Sequence, residues 1–342
     1  MSSQPALTAT LSHREGLWVR NPNLSSGSAN DRWVQRVQSV EPVGTHNNTD
    51  YYQIGSVDKA GTTQDPTTYR IQFQENLHHA GTGMYLAGVD PSTGSGYNVG
   101  NLVSQTNSVY VPRRNDSDSV FEELAFGTAR VTEVTYTFVN NGSCTADFTL
   151  MGTSGSYYHT AGTFPHPLWG VFDTATPGAV HGREARIAFA SNAAGSKVYR
   201  VQRFVIRAQL PEQNVNELGT RDLVGTLVDT PNVTVEFDLL PADVQPHDVF
   251  FPVSNDGGVA KRALGQPQPS DLYINVYDPD QAEASSVLIS FKVDNCIPTS
   301  NTPISARVRQ LTTSRWSLTS RTADTNRPGS GGLIISKTEL TS

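Results

Sequence analysis

"RVQRFVIRAQLPEQNVNELGTRDLVGTLVDTPNVTVEFDLL", residues 200–240, opens on a triplet that the chain has already used, since Arg36-Val37-Gln38 lies 164 positions before Arg200-Val201-Gln202. Sliding the sequence on itself by that amount also sets Val34 on Val198. Without a gap, Gly55, Asp58, Gly61, Thr62 and Asp65 then fall on Gly219, Asp222, Gly225, Thr226 and Asp229. Nine identities in 32 positions identify an internal duplication. Neighbouring positions agree in character: Ile54 with Leu218, Ser56 with Thr220, Ala60 with Val224.

Working outward, "DPTTYRIQF" (Asp65 to Phe73) parallels "DTPNVTVEF" (Asp229 to Phe237), the two prolines differing by one inserted residue. Each reads as a proline followed by a strand, where the missing N–H does little harm. Tyr69, Ile71 and Phe73 alternate with Thr68, Arg70 and Gln72, and Val233, Val235 and Phe237 alternate with Thr234, Glu236 and Asp238. That period of two makes a half-buried strand. Further on, "NSVYVPRR" (Asn107 to Arg114) parallels "SDLYINVY" (Ser270 to Tyr277). The stretch Ala129 to Ser154 parallels Ile304 to Asp324, which sets Phe148 and Leu150 on Trp316 and Leu318. Val131 to Val139 and Cys144 to Leu150 read as strands joined at "NNGS", where Asn-Gly accepts positive φ cheaply.

The expected fold is therefore mainly β: two tandem β-sandwich or barrel domains, residues 1–170 and 171–342, meeting in the Gly/Pro-rich stretch Pro165 to Gly182. One short flanking helix is predicted per domain. "SDSVFEELAFGT" (Ser117 to Thr128) has a capping serine, apolar Val120, Phe121 and Leu124, and a closing Gly127; its predicted counterpart is Pro279 to Phe291.

A chain of 342 residues is long enough for two cores, and 37% hydrophobic with 17% charged residues suits sheets joined by turns. The formal net charge is −7, and only five of the 25 basic residues are Lys. Neither half has an excess of basic groups, with 14 acidic and 9 basic residues in 1–170 and 18 and 16 in 171–342. A phosphate-gripping surface is not expected, because such binding rests on neutralising phosphates with Lys and Arg. The first eighteen residues lack the basic and apolar regions of a signal peptide, and no apolar run approaches a membrane span, so a cytoplasmic product without membrane contact is expected. Two cysteines, Cys144 and Cys296, are too few for a disulfide scaffold and read as inert thiols, a cross-subunit disulfide being the rival reading.

Catalytic chemistry is hard to find. His78 and His79 are adjacent, which in a strand points them to opposite faces. "DPDQAE" (Asp278 to Glu283) lacks the central Gly and spacing of a calcium loop. No nucleophile elbow, phosphate-cradling loop or dinucleotide fingerprint occurs, and "HHAGTG" follows a strand with no helix expected behind it. No enzyme activity, metal or cofactor is expected.

The order of elements in Arg200 to Leu240 resembles that of the tail tube proteins of tailed bacteriophages: a strand, a polar arm, the turn Glu217-Leu218-Gly219, another strand, Asp229-Thr230-Pro231, and the strand Val233 to Phe237. About forty residues carry it in the second copy; Gln53-Ile54-Gly55 and Asp65-Pro66 carry a weaker version in the first. The closing strands with Phe148 or Trp316 resemble the end of such domains. The resemblance implies a small β-sandwich or barrel flanked by a helix, six such domains to a ring. A chain with two copies would then form trimeric rings with pseudo-sixfold symmetry, stacked head to tail around a lumen that conducts viral DNA. Implied partners are the chain itself, tape-measure, terminator and tail-tip proteins, and double-stranded DNA in passage; the implied place is the virion tail, assembled in the host cytoplasm. The arms Glu41 to Gln53 and Ile206 to Glu217 are too long for tight turns, and the resemblance makes them inter-ring contacts, with Tyr51, Tyr52, Asn214 and Glu217 as candidate residues. Glu236 and Asp238, on the polar face of their strand, are candidates for the lumen wall. Alternative readings are a head-decoration or baseplate component, or a carbohydrate-binding adhesin using Trp18, Trp33 and Trp169.

Overall fold

The computed structural model describes residues 16–24, 31–34, 36–45, 48–52, 59–64, 68–114, 120–158, 180, 182, 185–189, 201–215, 225–239, 249–251, 253–256, 259–262, 267–277, 287–305, 313–320 and 332–340. The first half runs β1 (Trp18–Arg20), β2 (Asp31–Trp33), β3 (Val37–Thr45), β4 (Asn48–Tyr52), β5 (Lys59–Gln64), β6 (Thr68–Asn76), α1 (Gly81–Leu86), β7 (Gly96–Asn98), α2 (Val99–Ser104), β8 (Asn107–Arg114), β9 (Val120–Val139), β10 (Thr145–Gly152) and β11 (Ser154–Tyr158). The second runs β12 (Ala185–Phe189), β13 (Val201–Gln209), β14 (Glu212–Val215), β15 (Gly225–Val228), β16 (Asn232–Leu239), β17 (Val253–Asp256), β18 (Val259–Arg262), β19 (Ser270–Tyr277), β20 (Val287–Ser305), β21 (Thr313–Ser320) and β22 (Leu333–Ser336). The protein is mainly β, and every described strand pair is antiparallel.

The alternation in the sequence is realised directly. In β10 Ala146, Phe148 and Leu150 are buried while Thr145, Asp147 and Thr149 are half-exposed, and β16 buries Val233, Val235, Phe237 and Leu239. One face of the sheet thus goes to the core and the other to solvent.

The duplication is visible in the hydrogen-bonded ladders. Val40 faces Phe73 in β3·β6 and Phe204 faces Phe237 in β13·β16, a constant separation of 164 residues. The same bulge falls between Val37 and Ser39 and between Val201 and Arg203. No residue is inserted before β6, contrary to the sequence expectation; Pro66 and Pro231 are simply not equivalent. Phe148 opposes Phe73, and Trp316 opposes Phe237, as the parallel between those stretches anticipated. β8 and β19 repeat each other down to two bulges, at Asn107/Val109 and Ser270/Leu272 and at Arg113/Arg114 and Val276/Tyr277.

The long strands β9 and β20 are equivalent at a separation of 167 residues, which corrects the sequence pairing of Ala129 with Ile304. Ala129 faces Asn107 and Cys296 faces Ser270. Each strand serves two layers, pairing with β8 or β19 along its first half and with β10 or β21 along its second. The bend between them is made twice in the same way. Thr128 (φ 50°) and Asn295 (φ 49°) adopt the left-handed region, and Thr132 and Thr299 sit in bulges, donating hydroxyl hydrogen bonds to the carbonyls of Thr149 (3.3 Å) and Ser317 (3.1 Å). A β-branched residue in that conformation is strained where Asn is tolerated. Thr128→Asn is therefore expected to stabilise the fold by about 0.5–1 kcal/mol, read as a higher urea midpoint.

The predicted helix over Ser117 to Thr128 does not form: Val120 onward is strand, flanked by β8 on one side and β11 on the other. Pairing on both edges overrides the local helical spacing of Val120, Phe121 and Leu124. In its counterpart, Val287 to Phe291 are also strand and residues 279–286 lie outside the described residues. Among the described residues the helices are α1 and α2, between β6 and β8, with Val249 and Phe250 helical at the corresponding place in the second half. The Asn140–Ser143 turn joins β9 to β10 with Gly142 N–H donating to Val139 O (3.1 Å), and does so without a positive φ at Asn141 or Gly142. Most of Pro165 to Gly182, with the proposed division at residue 170, lies outside the described residues. Val180, however, is pinned between Leu77 and Cys144 by backbone hydrogen bonds of 2.9 and 2.8 Å.

The two layers meet across aromatic rings. Phe126 packs on Tyr69 (5.7 Å), and Phe291 on Tyr136 (4.9 Å) and Phe138 (5.6 Å). Because Phe291 belongs to the second half and Tyr136 and Phe138 to the first, one core spans both. Within it Glu123 is fully buried, neither carboxylate oxygen has a hydrogen-bond partner among the described residues, and burial pushes its pKa from 4.5 up to about 7 against the pull of Arg20. The folded chain therefore holds a proton that the unfolded chain releases, so this group's cost is absent below about pH 4.5 and complete above about pH 7. Glu123→Gln is expected to be more stable than the parent by about 1–3 kcal/mol at pH 8 and nearly equal at pH 4.5, as paired denaturation curves would read.

Candidate assembly surface

The solvent face of the sheet β3-β6-β10-β9-β13-β16-β21 is a polar floor. Ladder registers put Ser39, Gln74, Asp147, Thr135, Arg207, Thr234 and Thr319 in one row across all seven strands. Five carboxylates, of Glu41, Glu133, Asp147, Glu236 and Asp238, share this face with five guanidiniums, of Arg70, Arg130, Arg203, Arg207 and Arg315, so it is balanced in formal charge. No Lys stands on these strands among the described residues.

Several of those charges are tied to one another. Arg207 Nε donates to Glu133 Oε1 and Arg315 Nε to Asp238 Oδ1, each at 2.8 Å, and in both cases the partner carboxylate raises the guanidinium pKa further. Gln74 Nε2 donates to Asp147 Oδ1 (2.7 Å), whose pKa is raised chiefly by burial. Such exposed pairs contribute little stability, roughly 0–1 kcal/mol each. Their effect is on the field, since each pairing offsets one positive charge of the floor.

The edges of this floor differ from its middle. β9 and β13, the strands at which the two halves of the sheet adjoin, pair from Glu133↔Gln209 to Val139↔Arg203. Flanking bonds from Asn140 N to Gln202 O (3.1 Å) and from Leu210 N to Thr132 O (2.8 Å) fix the phase, so that even-numbered amides of β13 face β9. The equivalents of these two strands at the other ends are β3 and the second half of β20. Among the described residues, no strand pairs with the outer edge of β3, and Ser300–Ser305 of β20 pair with β21 alone. Exposure follows: Phe204, Ile206 and Ala208 of β13 are buried, whereas their counterparts Val40 and Pro42 are half-exposed and Gly44 is exposed. By the same phase, Pro42 aims its missing N–H outward, where it leaves the β3·β6 ladder intact.

Of the residues singled out from the sequence, Glu236 and Asp238 share the open floor, the first exposed and the second half-buried against Arg315. Tyr51 and Tyr52 lie on β4, and Asn214 on β14; Glu217 lies outside the described residues. The arms prove to be hairpins, β4·β5 and β14·β15, with Asn48 opposite Gln64 and Glu212 opposite Val228, again 164 residues apart. They begin later than the sequence suggested, because Glu41–Thr45 and Ile206–Gln209 belong to β3 and β13. Tyr51 and Tyr52 are thus in one hairpin, Asn214 in the other. Trp18 is half-buried and faces Trp33 in the β1·β2 ladder, while Trp169 and Asp278 to Glu283 lie outside the described residues.

His78 and His79 do not point apart as a strand would require. They sit in the turn after β6 with ring centroids 3.8 Å apart, and His79 Nδ1 accepts from Gly81 N (3.0 Å) at the start of α1, a helix the sequence reading had not placed there. Cys144 and Cys296 are free and buried, and burial pushes the Cys296 thiol well up. No described group of three or more His, Cys, Asp or Glu side chains has the arrangement to hold a metal ion, and no described helix is long and apolar enough to cross a membrane. The sequence reading missed Glu133, Arg207 and Arg315. Their period-two placement marked them as outward, but nothing local pairs residues 74 or 77 positions apart.

No protein-family model matches the chain, and no curated protein matches it. Among solved structures, it is similar to a chain of the anti-feeding prophage baseplate at 12% identity and a TM-score of 0.33, over 46% of this chain and 98% of that one. A chain of the cap that terminates the anti-feeding prophage tube gives 11% and 0.32, over 48% and 95%. A chain of the extended sheath–tube complex of an extracellular contractile injection system gives 11% and 0.30, over 45% and 88%. At scores this low, the likeness assigns neither a fold nor a function to this chain.

Proposed function

We propose that this chain is a structural subunit of a phage-tail-like tube, without catalytic activity, that polymerises as stacked rings around a lumen for DNA. The observation that carries the reading is the β9·β13 junction. Two equivalent sheets are already joined side by side in one chain, and the two strands that would repeat that junction, β3 and the second half of β20, lie at the ends. A contact that joins one end of a subunit to the other end of the next is heterologous, and it closes into a ring when the rotation allows. The resemblance of Arg200 to Leu240 to tail tube proteins supplies six sheets per ring, hence three chains with pseudo-sixfold symmetry.

The balanced, Lys-free floor suits the inner wall of such a ring. DNA held by released counterions would not slide, so a conduit gains from a surface with no net positive charge. Closure also removes the sheet edges that would otherwise pair at random. The hairpins β4·β5 and β14·β15 follow β3 and β13, one strand of each junction, and would serve the ring-to-ring contact. Partners are then the chain itself and, at the ends of the tube, tape-measure, terminator and tip proteins of a virion tail.

Negative-stain microscopy of the purified chain tests the proposal. Rings or tubes with three chains per layer support it. Discrete trimers that never stack would favour a decoration protein, and monomers held on a glycan column would favour an adhesin. Deleting Asn47 to Tyr52 is expected to stop growth at single rings while subunits stay folded; normal tubes from that variant would remove the stacking role of the arms.

A further inference from the structure

Among the described residues two strand pairings join the halves, and they lie in different layers. The first is β9·β13, in the sheet that carries the polar floor. The second is β7·β22. The strand β22 runs along the first half of β20 on one side and along β7 on the other, with Ile334, Ile335 and Ser336 opposite Asn98, Tyr97 and Gly96. It is fixed to its own half by Asp294 N donating to Gly332 O (2.9 Å) and Leu340 N to Ser290 Oγ (3.1 Å). Lys337 N and Ser336 Oγ reach across to Ser95 O (2.8 and 3.2 Å), and Lys337 Nζ reaches Pro91 O.

Side chains brace the two pairings against each other. Ile335 stands opposite Tyr97 on one edge of β22 and opposite Phe291 on the other. The Tyr97 hydroxyl lies 2.6 Å from that of Tyr136, and the Phe291 ring packs on Tyr136 at 4.9 Å. Tyr136 in turn faces Ile206 in the middle of β9·β13. Tyr136, Tyr97, Ile335 and Phe291 thus form a closed circuit, two from each half and all buried.

A lone ladder holds two sheets loosely in orientation, since paired strands vary by roughly 25° in relative twist. A second attachment in another layer removes that freedom. We propose that the β7·β22 clasp sets the angle between the two halves, and through it the number of chains that close a ring. This rests on the ring reading above and adds to it the element that chooses the ring's size. Passing from three chains to four would reduce the turn between neighbouring halves from about 60° to about 45°, a change that the ladder alone would tolerate.

Two substitutions loosen the clasp without touching β9·β13. A Cβ at Gly96 would collide with the Ile335 carbonyl oxygen and lie 2.8 Å from Ser336 Cα, so Gly96→Val drives β7 off β22. Lys337→Pro deletes the amide that reaches Ser95, while the amides of β22 that face β20, at the even-numbered positions, stay in place. Mass photometry and negative-stain class averages of the assembled variants, with melting curves of the unassembled chains, read the outcome. The parent is expected to give rings of three chains alone. Both variants are expected to stay folded and to form rings of two or four chains, or open arcs, beside those of three. Should Gly96→Val fail to fold, Lys337→Pro alone decides. Uniform rings of three from either folded variant overturn the clasp and leave the ring reading standing, as does a parent whose rings already vary in size. Folded variants that never assemble, or a chain unfolded by Lys337→Pro, overturn it too, because β22 would then serve contact or folding rather than angle. A parent chain that never forms rings overturns both.

Discussion

Replacing Trp316 by Ala is expected to cost about 3–5 kcal/mol of folding free energy, a third or more of what a typical domain possesses. The indole is fully buried, lies nearly parallel to Phe237 at 6.3 Å (5°), stacks on Phe250 at 6.3 Å, and donates its N–H to Ser314 Oγ (2.8 Å). Removing it opens a cavity bounded by ladder strands that are poorly able to collapse, and leaves the Ser314 hydroxyl without its donor. Phe148, its counterpart, is 1% exposed and stacked on Phe73 at 5.1 Å, and Phe148→Ala is expected to fall in the same range. Rings link Phe148 through Tyr136, Phe291, Phe138, Phe204 and Phe237 to Trp316. Either substitution should accordingly lower a single cooperative transition for the whole chain. Urea unfolding followed by both tryptophan fluorescence and circular dichroism checks this; two separated transitions would show that the halves hold separate cores.

The largest expected effect on assembly comes from Gly44→Pro. In the phase that β13 sets, the Gly44 amide faces outward, away from β6, at the position equivalent to buried Ala208. Carried over from Val134↔Ala208, the seam would set Gly44 against Asn301, a pair that exchanges two backbone hydrogen bonds. Proline there deletes one donor and thrusts its ring into the approaching strand, while the β3·β6 ladder keeps its bonds. Folded monomers without rings are expected in sedimentation and microscopy. Pro42→Ile is the converse change, restoring an outward donor and the side chain of Ile206. It is expected to lower the concentration at which rings appear. Unaltered assembly by both variants would remove β3 from the seam.

Much of this architecture could be read from residues alone, because period two and a fixed repeat distance are local properties. The strands β6, β10 and β16, the second half of β9 and the equivalence of Phe148 with Trp316 follow from them. The strand at Val120 was misread because its sequence also satisfies helical spacing, and only the presence of β8 and β11 on its two edges decides the matter. α1 was not foreseen because Gly-Thr-Gly is a poor helix former; its six residues are all buried, so packing rather than propensity holds it. The charge pairs of the floor and the β7·β22 clasp join residues far apart in sequence, and no one-dimensional pattern encodes them.

In the proposed ring, fusing two copies in one chain would make the joints of the cylinder unequal. At β9·β13 the joint is tethered and forms during folding, independent of dilution. At β3 and β20 the corresponding joint of the proposed ring would have to be made by collision, with Pro42 subtracting one bond from its centre. Strong and weak staves would then alternate around each hoop, and a tube stressed by salt, heat or internal pressure should split along every second joint, shedding whole chains rather than half-chains.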